Sequence, residues 1–267
     1  MLCTFASPTG CMSRMAGSFP VAEKGPPMKC WICGAEDAGT REHLAKASDL
    51  KALFGKPSQR EPLFFSASDR PGMHRRRNVR VGGINSDTLK FAHRICLTCN
   101  SARTQPHDYA WEHCSRELRA AIPGLLAKGA FRANWLFPYD TRREMRHVHL
   151  YFTKLFGCLV VEGSIPIDTI PLGEAITSGR PYPYLYLTFG QLAMPVDMVG
   201  GSDVHAAQLD GKVRFATWLY NVGNLAVNVT YALPGEQRQG LEVAWHPRMG
   251  AKWLQFKRYS TATMPQR

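Results

Sequence analysis

The sequence contains no run of about 18 apolar residues, so it offers no helical membrane span. Residues 1 to 27 lack the basic opening and sustained apolar core of a secretory signal, and the chain reads as cytosolic. No phosphate-binding glycine loop and no internal repeat are present, which removes P-loop and solenoid readings. Acidic residues are scarce: 21 Asp/Glu stand against 33 Lys/Arg, a formal net charge of +12. That balance favours a polyanionic partner, although net charge alone does not separate nucleic acid from an anionic membrane surface. The distribution is more informative. Residues 41 to 106 hold 13 Lys/Arg against 5 Asp/Glu, whereas residues 150 to 267 hold 10 against 8, so the basic character belongs to the first half.

In a reducing compartment eight cysteines do not form a disulfide framework, and four of them have metal-ligand spacing. Cys30-Trp31-Ile32-Cys33 and Cys96-Leu97-Thr98-Cys99 are two C-x2-C knuckles, and together they supply the four thiolates of a tetrahedral, closed, structural Zn2+ site. Of the others, Cys3 and Cys11 lie in the N-terminal tail, while Cys114 and Cys158 sit in apolar surroundings that suit small buried thiols. Glu42-His43 follows the first knuckle and Asn100 directly follows the second. Folding around zinc therefore gathers a carboxylate, an imidazole and an amide into a second, open site.

The expected fold class is α+β. Residues 1–27, rich in Ser, Gly, Pro and Met, read as a disordered tail. Residues 28–124 read as a zinc-stapled treble-clef domain: a strand near Thr40 to Leu44, a loop-rich insertion broken by Pro57, Pro62, Pro71, Gly72, Gly82 and Gly83, and a strand near Thr88 to Ile95. A short turn at Asn100 to Gln105 should precede a helix bearing Trp111, Cys114, Leu118 and Ile122 and ended by Pro123-Gly124. A connection over 125–146 leads to an accessory α+β domain at 147–259. There Val148, Phe152, Leu155 and Leu159 recur at helical spacing, with a strand as the alternative. Strands are expected over Tyr182 to Phe189, Val213 to Tyr220, Leu225 to Tyr231 and Leu241 to Trp245, separated by Asp210-Gly211, Gly223-Asn224 and Pro234-Gly235. Residues 260–267 form a tail. Trp218, Trp245 and Trp253 are assigned to the core, His147 and His149 to the surface of a helix start, and His93 to a structural or phosphate-contacting role.

The knuckle CWICG, the Glu42-His43 pair and CLTCNSARTQPHD together resemble the HNH family of nucleases, in the subgroup whose ββα-metal site is built on a four-cysteine treble clef. The resemblance covers about residues 28 to 115. It implies an endonuclease acting on DNA phosphodiesters, with His43 as general base and with Glu42 and Asn100 holding a catalytic Mg2+ or Mn2+. Such chemistry needs a deprotonated water in line with the leaving oxygen and positive charge near the phosphate. Both Glu42 and His43 reaching one site requires the strand to bend, because neighbours on a strand point to opposite faces. The chain departs from the family pattern where the central Asn is expected: Phe91 lies nine residues before Asn100, leaving Asn85 and Asn78 as candidates. Thr104 stands where many members have a second helix ligand, and His107 and Asp108 are the substitutes. Arg75, Arg76, Arg77 and Arg80 in the insertion, with Arg103 after the second knuckle, are assigned to phosphate contacts. A non-catalytic zinc-stapled nucleic-acid-binding module and a protein-interaction adaptor are the alternatives; neither requires His43.

Overall fold

The computed structural model describes residues 4–6, 29–67, 76–193, 197–237, 240–249 and 253–259, with the backbone alone at 4–6, 67, 76 and 77. In chain order the elements begin with β1 (Thr4–Ala6), β2 (Thr40–His43), α1 (Ala47–Phe54), β3 (Leu63–Ala67), β4 (Arg76–Val81), β5 (Lys90–Ile95) and α2 (Leu97–Asn100). Next come α3 (Gln105–Lys128), β6 (Ala130–Arg132), α4 (Ala133–Leu136), α5 (Thr141–Glu162) and α6 (Ile170–Ser178). The last are β7 (Leu185–Leu192), β8 (Val199–Gly201), β9 (His205–Leu209), β10 (Lys212–Val222), β11 (Leu225–Ala232) and β12 (Trp253–Tyr259). The class is α+β, as the sequence implies.

Three sheets result. β2 and β5 form an antiparallel pair flanked by the two knuckles. The expected loop-rich insertion between them is more ordered than its prolines suggest: it contains α1 and the β3–β4 pair. β1, from the segment 1–27 read as disordered, pairs with β3 through Thr4↔Ser66; residues 1–3 and 7–27 of that segment lie outside the described residues. The large sheet runs β6-β12-β7-β11-β10-β8, with β9 also on β10. Its pairs are antiparallel except β12 with β7. Two of its hairpins turn where the sequence places turns. Asp210 and Gly211, at φ 52° and 73°, both adopt the left-handed region that a two-residue turn demands between Leu209 and Lys212. Leu241 to Trp245 does not form the expected strand; residues 241–243 make a 3-10 turn and only Trp245 bridges to Leu187.

Helix α3 corrects a boundary. Pro106 sits in its first turn, where a missing N–H is harmless, and Pro123 lies inside the helix without ending it. Pro123 and Gly124 are exposed, while the apolar stripe through Trp111, Cys114 and Leu118 continues to buried Leu125. Burial of that stripe outweighs one lost hydrogen bond on the solvent side. The residues read as a connection accordingly hold the end of α3, β6, α4 and the start of α5.

Helix α5 is the hub. It packs on α3, α4, α6, β5 and β7, and every residue from Val148 to Val160 is buried. A helix covered all round in this way belongs to the middle of a core. One apolar cluster runs from Ala45 and Leu50 through Trp111 and Phe152 to Tyr220 and Phe256, so the zinc-bearing segment and the large sheet share a core. Trp111 is its junction, with Phe152 at 4.7 Å, Tyr151 at 5.5 Å and Tyr220 at 5.9 Å between ring centres. Trp218 and Trp245 are buried as assigned, whereas Trp253 is exposed beneath the Arg132 guanidinium, 4.8 Å from its ring. His149 also corrects its surface assignment: it is fully buried and its Nε2 meets the Leu185 carbonyl at 2.9 Å.

Candidate functional site

The four knuckle sulfurs of Cys30, Cys33, Cys96 and Cys99 all lie within 4.8 Å of one another, with Cys33 and Cys96 at 3.6 Å. Zinc bound at about 2.3 Å by four sulfurs separates them by roughly 3.8 Å, so the cluster fits a zinc ion. Burial opposes ionisation of the Cys33 thiol, yet the amide hydrogen bond at Ala35 and the neighbouring thiols bring it down to about 7. Arg103, assigned to phosphate, instead donates from Nη1 to Cys99 Sγ at 2.6 Å. Knuckle one is seated on the helices by two glycines. A Cβ at Gly157 would lie 2.2 Å from the Trp31 indole, and one at Gly173 would lie 2.4 Å from the Ile32 carbonyl oxygen.

The β2–β5 pairing breaks at Glu42. Arg41 opposes Arg94 but His43 opposes Lys90, so three residues of β5 stand across from Glu42 alone. That irregularity supplies the bend that Glu42 and His43 need to approach one site. Its loose amides are capped from α5, since Ala92 and His93 donate to the Glu162 carboxylate at 3.1 Å and 3.0 Å. His93 Nδ1 lies 2.9 Å from the same carboxylate, which makes its role structural. Across the bulge, Arg41 Nε donates to the Phe91 carbonyl at 2.7 Å.

His43 is half-buried and hydrogen-bonds the backbone at Ile84, and its Nε2 is buried without a protein partner. Burial pushes the imidazole below its ordinary 6.5; the Glu42 charge opposes this, while Lys90 and Lys46 reinforce it. The ring is therefore neutral, with a nitrogen ready to accept a proton. Asn100 reaches the same strand, donating from Nδ2 to the Arg41 carbonyl at 3.3 Å. Helix and hairpin thus meet next to Glu42.

Glu42 is buried: Oε1 accepts from the His43 amide at 3.2 Å, and Oε2, which no hydrogen bond reaches, is in ion contact with the Lys154 ammonium. Lys154 also donates to Thr104 Oγ1 at 3.0 Å, and Thr104 in turn donates to the Cys99 carbonyl at 2.9 Å. Burial alone would lower the Lys154 pKa, but attraction from Glu42 and Asp108 outweighs it and the ammonium is held above its usual range. Asp108 Oδ1 lies 3.4 Å from Lys46 Nζ, which also reaches Glu112 at 3.2 Å. His107 turns away from Glu42, toward α5, where its Nδ1 meets His147 Nδ1 at 2.9 Å. Burial and the nearby cations bring His107 down to about 3, and His147, assigned to the surface, is half-buried in this pair.

Among the described residues the cysteine quartet is the one group of three or more His, Cys, Asp or Glu donors placed to hold a metal. Glu42 does not fit the divalent cation that the HNH resemblance implies, because an ammonium already faces its Oε2. The central-Asn candidates separate. Asn78 sits at φ 51° on β4, its amide donating to Ser66 Oγ at 3.0 Å. Asn85 adjoins Ile84, the residue that holds His43.

Asn85 also lines a solvent-open cleft of about 600 Å³ bounded by Lys51, Lys56, Gln59, Arg80, Gly82, Gly83 and Ser86, with no carboxylate in its wall. Arg80 is partly fixed by a hydrogen bond to the Gln59 carbonyl. Arg76 and Arg77 lie on β4, and Arg75 lies outside the described residues. Lys51 and Lys56 escape a search for arginine runs; their signal was the i, i+5 lysine spacing at the end of α1.

No family model, curated protein or solved structure matches the chain. Among the described residues no helix is long and apolar enough to cross a membrane.

Proposed function

We propose that the protein is an HNH-type endonuclease that hydrolyses DNA phosphodiester bonds, with a treble clef held by Zn2+ on Cys30, Cys33, Cys96 and Cys99. The observation that carries this reading is His43: a neutral imidazole fixed at Ile84, with a buried and unpartnered Nε2, on a hairpin whose neighbouring wall is a cleft of Lys51, Lys56 and Arg80. Buried polar atoms are paired in the great majority of cases, so an orphan on a ring held by Ile84, itself part of the cleft wall, is where a ligand is to be sought.

In this reading the cleft takes phosphates on either side of the scissile bond, fixing register without reading sequence. His43 Nε2 removes a proton from a water molecule, and the resulting hydroxide oxygen attacks phosphorus in line. The new P–O bond forms as the bond to the leaving oxygen breaks, and that oxygen takes up a proton. Zinc takes no part in these steps; it holds the hairpin and the start of α3 in register. A purified, zinc-loaded sample should convert supercoiled plasmid to nicked or linear product, and His43→Ala should abolish this while sparing DNA binding. Failure of the unmodified protein to cut single- or double-stranded DNA, with or without Mg2+ or Mn2+, would leave the binding module as the better reading.

A further inference from the structure

We infer that Lys154 is the resident cation of the Glu42 centre, occupying the place on that carboxylate where a divalent ion was expected, so that cleavage at His43 proceeds without Mg2+ or Mn2+. The cleavage half of this inference rests on the nuclease reading; the metal-binding half does not.

The first support is where Lys154 lies. It is the one charged residue in the buried stretch from Val148 to Val160 and is 1% exposed. An ammonium taken that far from water is destabilising unless acids and hydrogen-bond acceptors meet it. Lys154 has both: Glu42 Oε2 in contact, Thr104 Oγ1 at 3.0 Å, and Asp108 close enough to act on it. The second support is the occupancy of Glu42, whose two oxygens are assigned to Lys154 and to the His43 amide. A divalent ion on that carboxylate would face a fixed positive charge across it. Asp108, the carboxylate among the substitute ligands, has its own ammonium in Lys46.

The third support is continuity. Cys99 carbonyl, Thr104 hydroxyl, Lys154 ammonium, Glu42 carboxylate and His43 amide form an unbroken chain of polar contacts from the zinc cluster to the proposed base. Lys154 touches neither substrate nor reacting atoms, so it is a positioning residue. It keeps Glu42 aimed at the His43 backbone. Lys90, which pairs with His43 across the hairpin, and Lys46 act electrostatically on His43.

The test uses the full chain with zinc content verified. Mn2+ is titrated into unmodified protein, Lys154→Met and Glu42→Gln, with binding followed by the electron paramagnetic resonance of free Mn2+. The unmodified protein should show no saturable site, and Lys154→Met, which keeps the volume but leaves Glu42 and Asp108 uncompensated, should bind at least about tenfold tighter. A saturable site in the unmodified protein that Glu42→Gln removes would overturn the inference, and that comparison stands even if Lys154→Met does not fold. In the cleavage arm, the rate in divalent-free buffer should match the rate with Mg2+ or Mn2+ within about twofold, and tenfold stimulation by either ion would equally overturn it. Absence of cleavage in every buffer defeats the nuclease reading, and the Mn2+ titration then decides the role of Lys154 alone.

Discussion

Asp49 and Glu42 are both carboxylates buried against α3, and the protein treats them in opposite ways. Asp49 is closed by neutral donors: Ser115 Oγ at 2.7 Å, Trp111 Nε1 at 2.8 Å and the Tyr220 hydroxyl at 3.2 Å. It joins α1, α3 and β10. Glu42 is met by an ammonium and one amide, beside the orphan nitrogen of His43. A satisfied polar network rigidifies a core, whereas one that retains orphan atoms is arranged for something not yet bound. Under the proposed function the contrast separates a structural acid from a functional one, although burial is similar.

The comparison can be broken most severely at the frame both share. Stripping zinc, or Cys96→Ser, should have the largest effect, since structural zinc contributes about 10–16 kcal/mol in zinc-finger peptides. Amide exchange should become fast through Thr40–His43 and Lys90–Ile95 while β10 and β11 stay protected; unchanged protection of the hairpin would show that zinc is not its frame. Asp49→Ala comes next. It strands three buried donors, and denaturant titration should register about 3–5 kcal/mol of lost stability with cleavage per folded molecule preserved. A loss of turnover without a loss of stability would place Asp49 in the functional class and erase the contrast.

Acidification is the next smaller perturbation. His149 and His107 have folded pKa values of about 3, below the ordinary 6.5, through burial first and neighbouring positive charge second. Their neutral forms contribute stability that is present above the ordinary value and lost as pH falls through 6.5 toward 3. Urea midpoints should therefore decline from about pH 7 to about pH 4, and His149→Gln should reduce that slope; a flat profile would contradict the burial. The smallest effect is on DNA affinity. Changing Lys51, Lys56 and Arg80 to Ala should flatten the salt dependence of log K by about 2–3 in slope, near 0.9 per lost phosphate contact. An unchanged slope would detach the cleft from DNA.

Part of this was legible in the sequence because it is local. The knuckles, the strand at Thr40, the two-residue turns at Asp210-Gly211 and Gly223-Asn224, and the apolar stripes of α3 and α5 follow from spacing and turn chemistry. The illegible part is tertiary. Pro123 reads as a stop until Leu125 is seen to need burial. Lys154 carries no assignment from the sequence, because only the fold shows that all sides of α5 are covered, although a single charge inside so apolar a run was the available signal. Arg103 and His107 carry types suited to phosphate and metal, yet the fold turns them to Cys99 and His147. The bulge that lets Glu42 and His43 share a site depends on Glu162, about 70 residues away in sequence.

The central claim is that His43 is the base of a centre that cuts DNA, and a single-turnover cleavage rate tests it most directly. Zinc-loaded His43→Ala should cut about 10²–10⁴-fold more slowly than the unmodified protein, with unchanged thermal unfolding and DNA affinity. The acid limb of the unmodified profile should fall below 6.5, the side to which burial moves this imidazole. Equal rates for the two proteins, or no cleavage by either, would contradict the account.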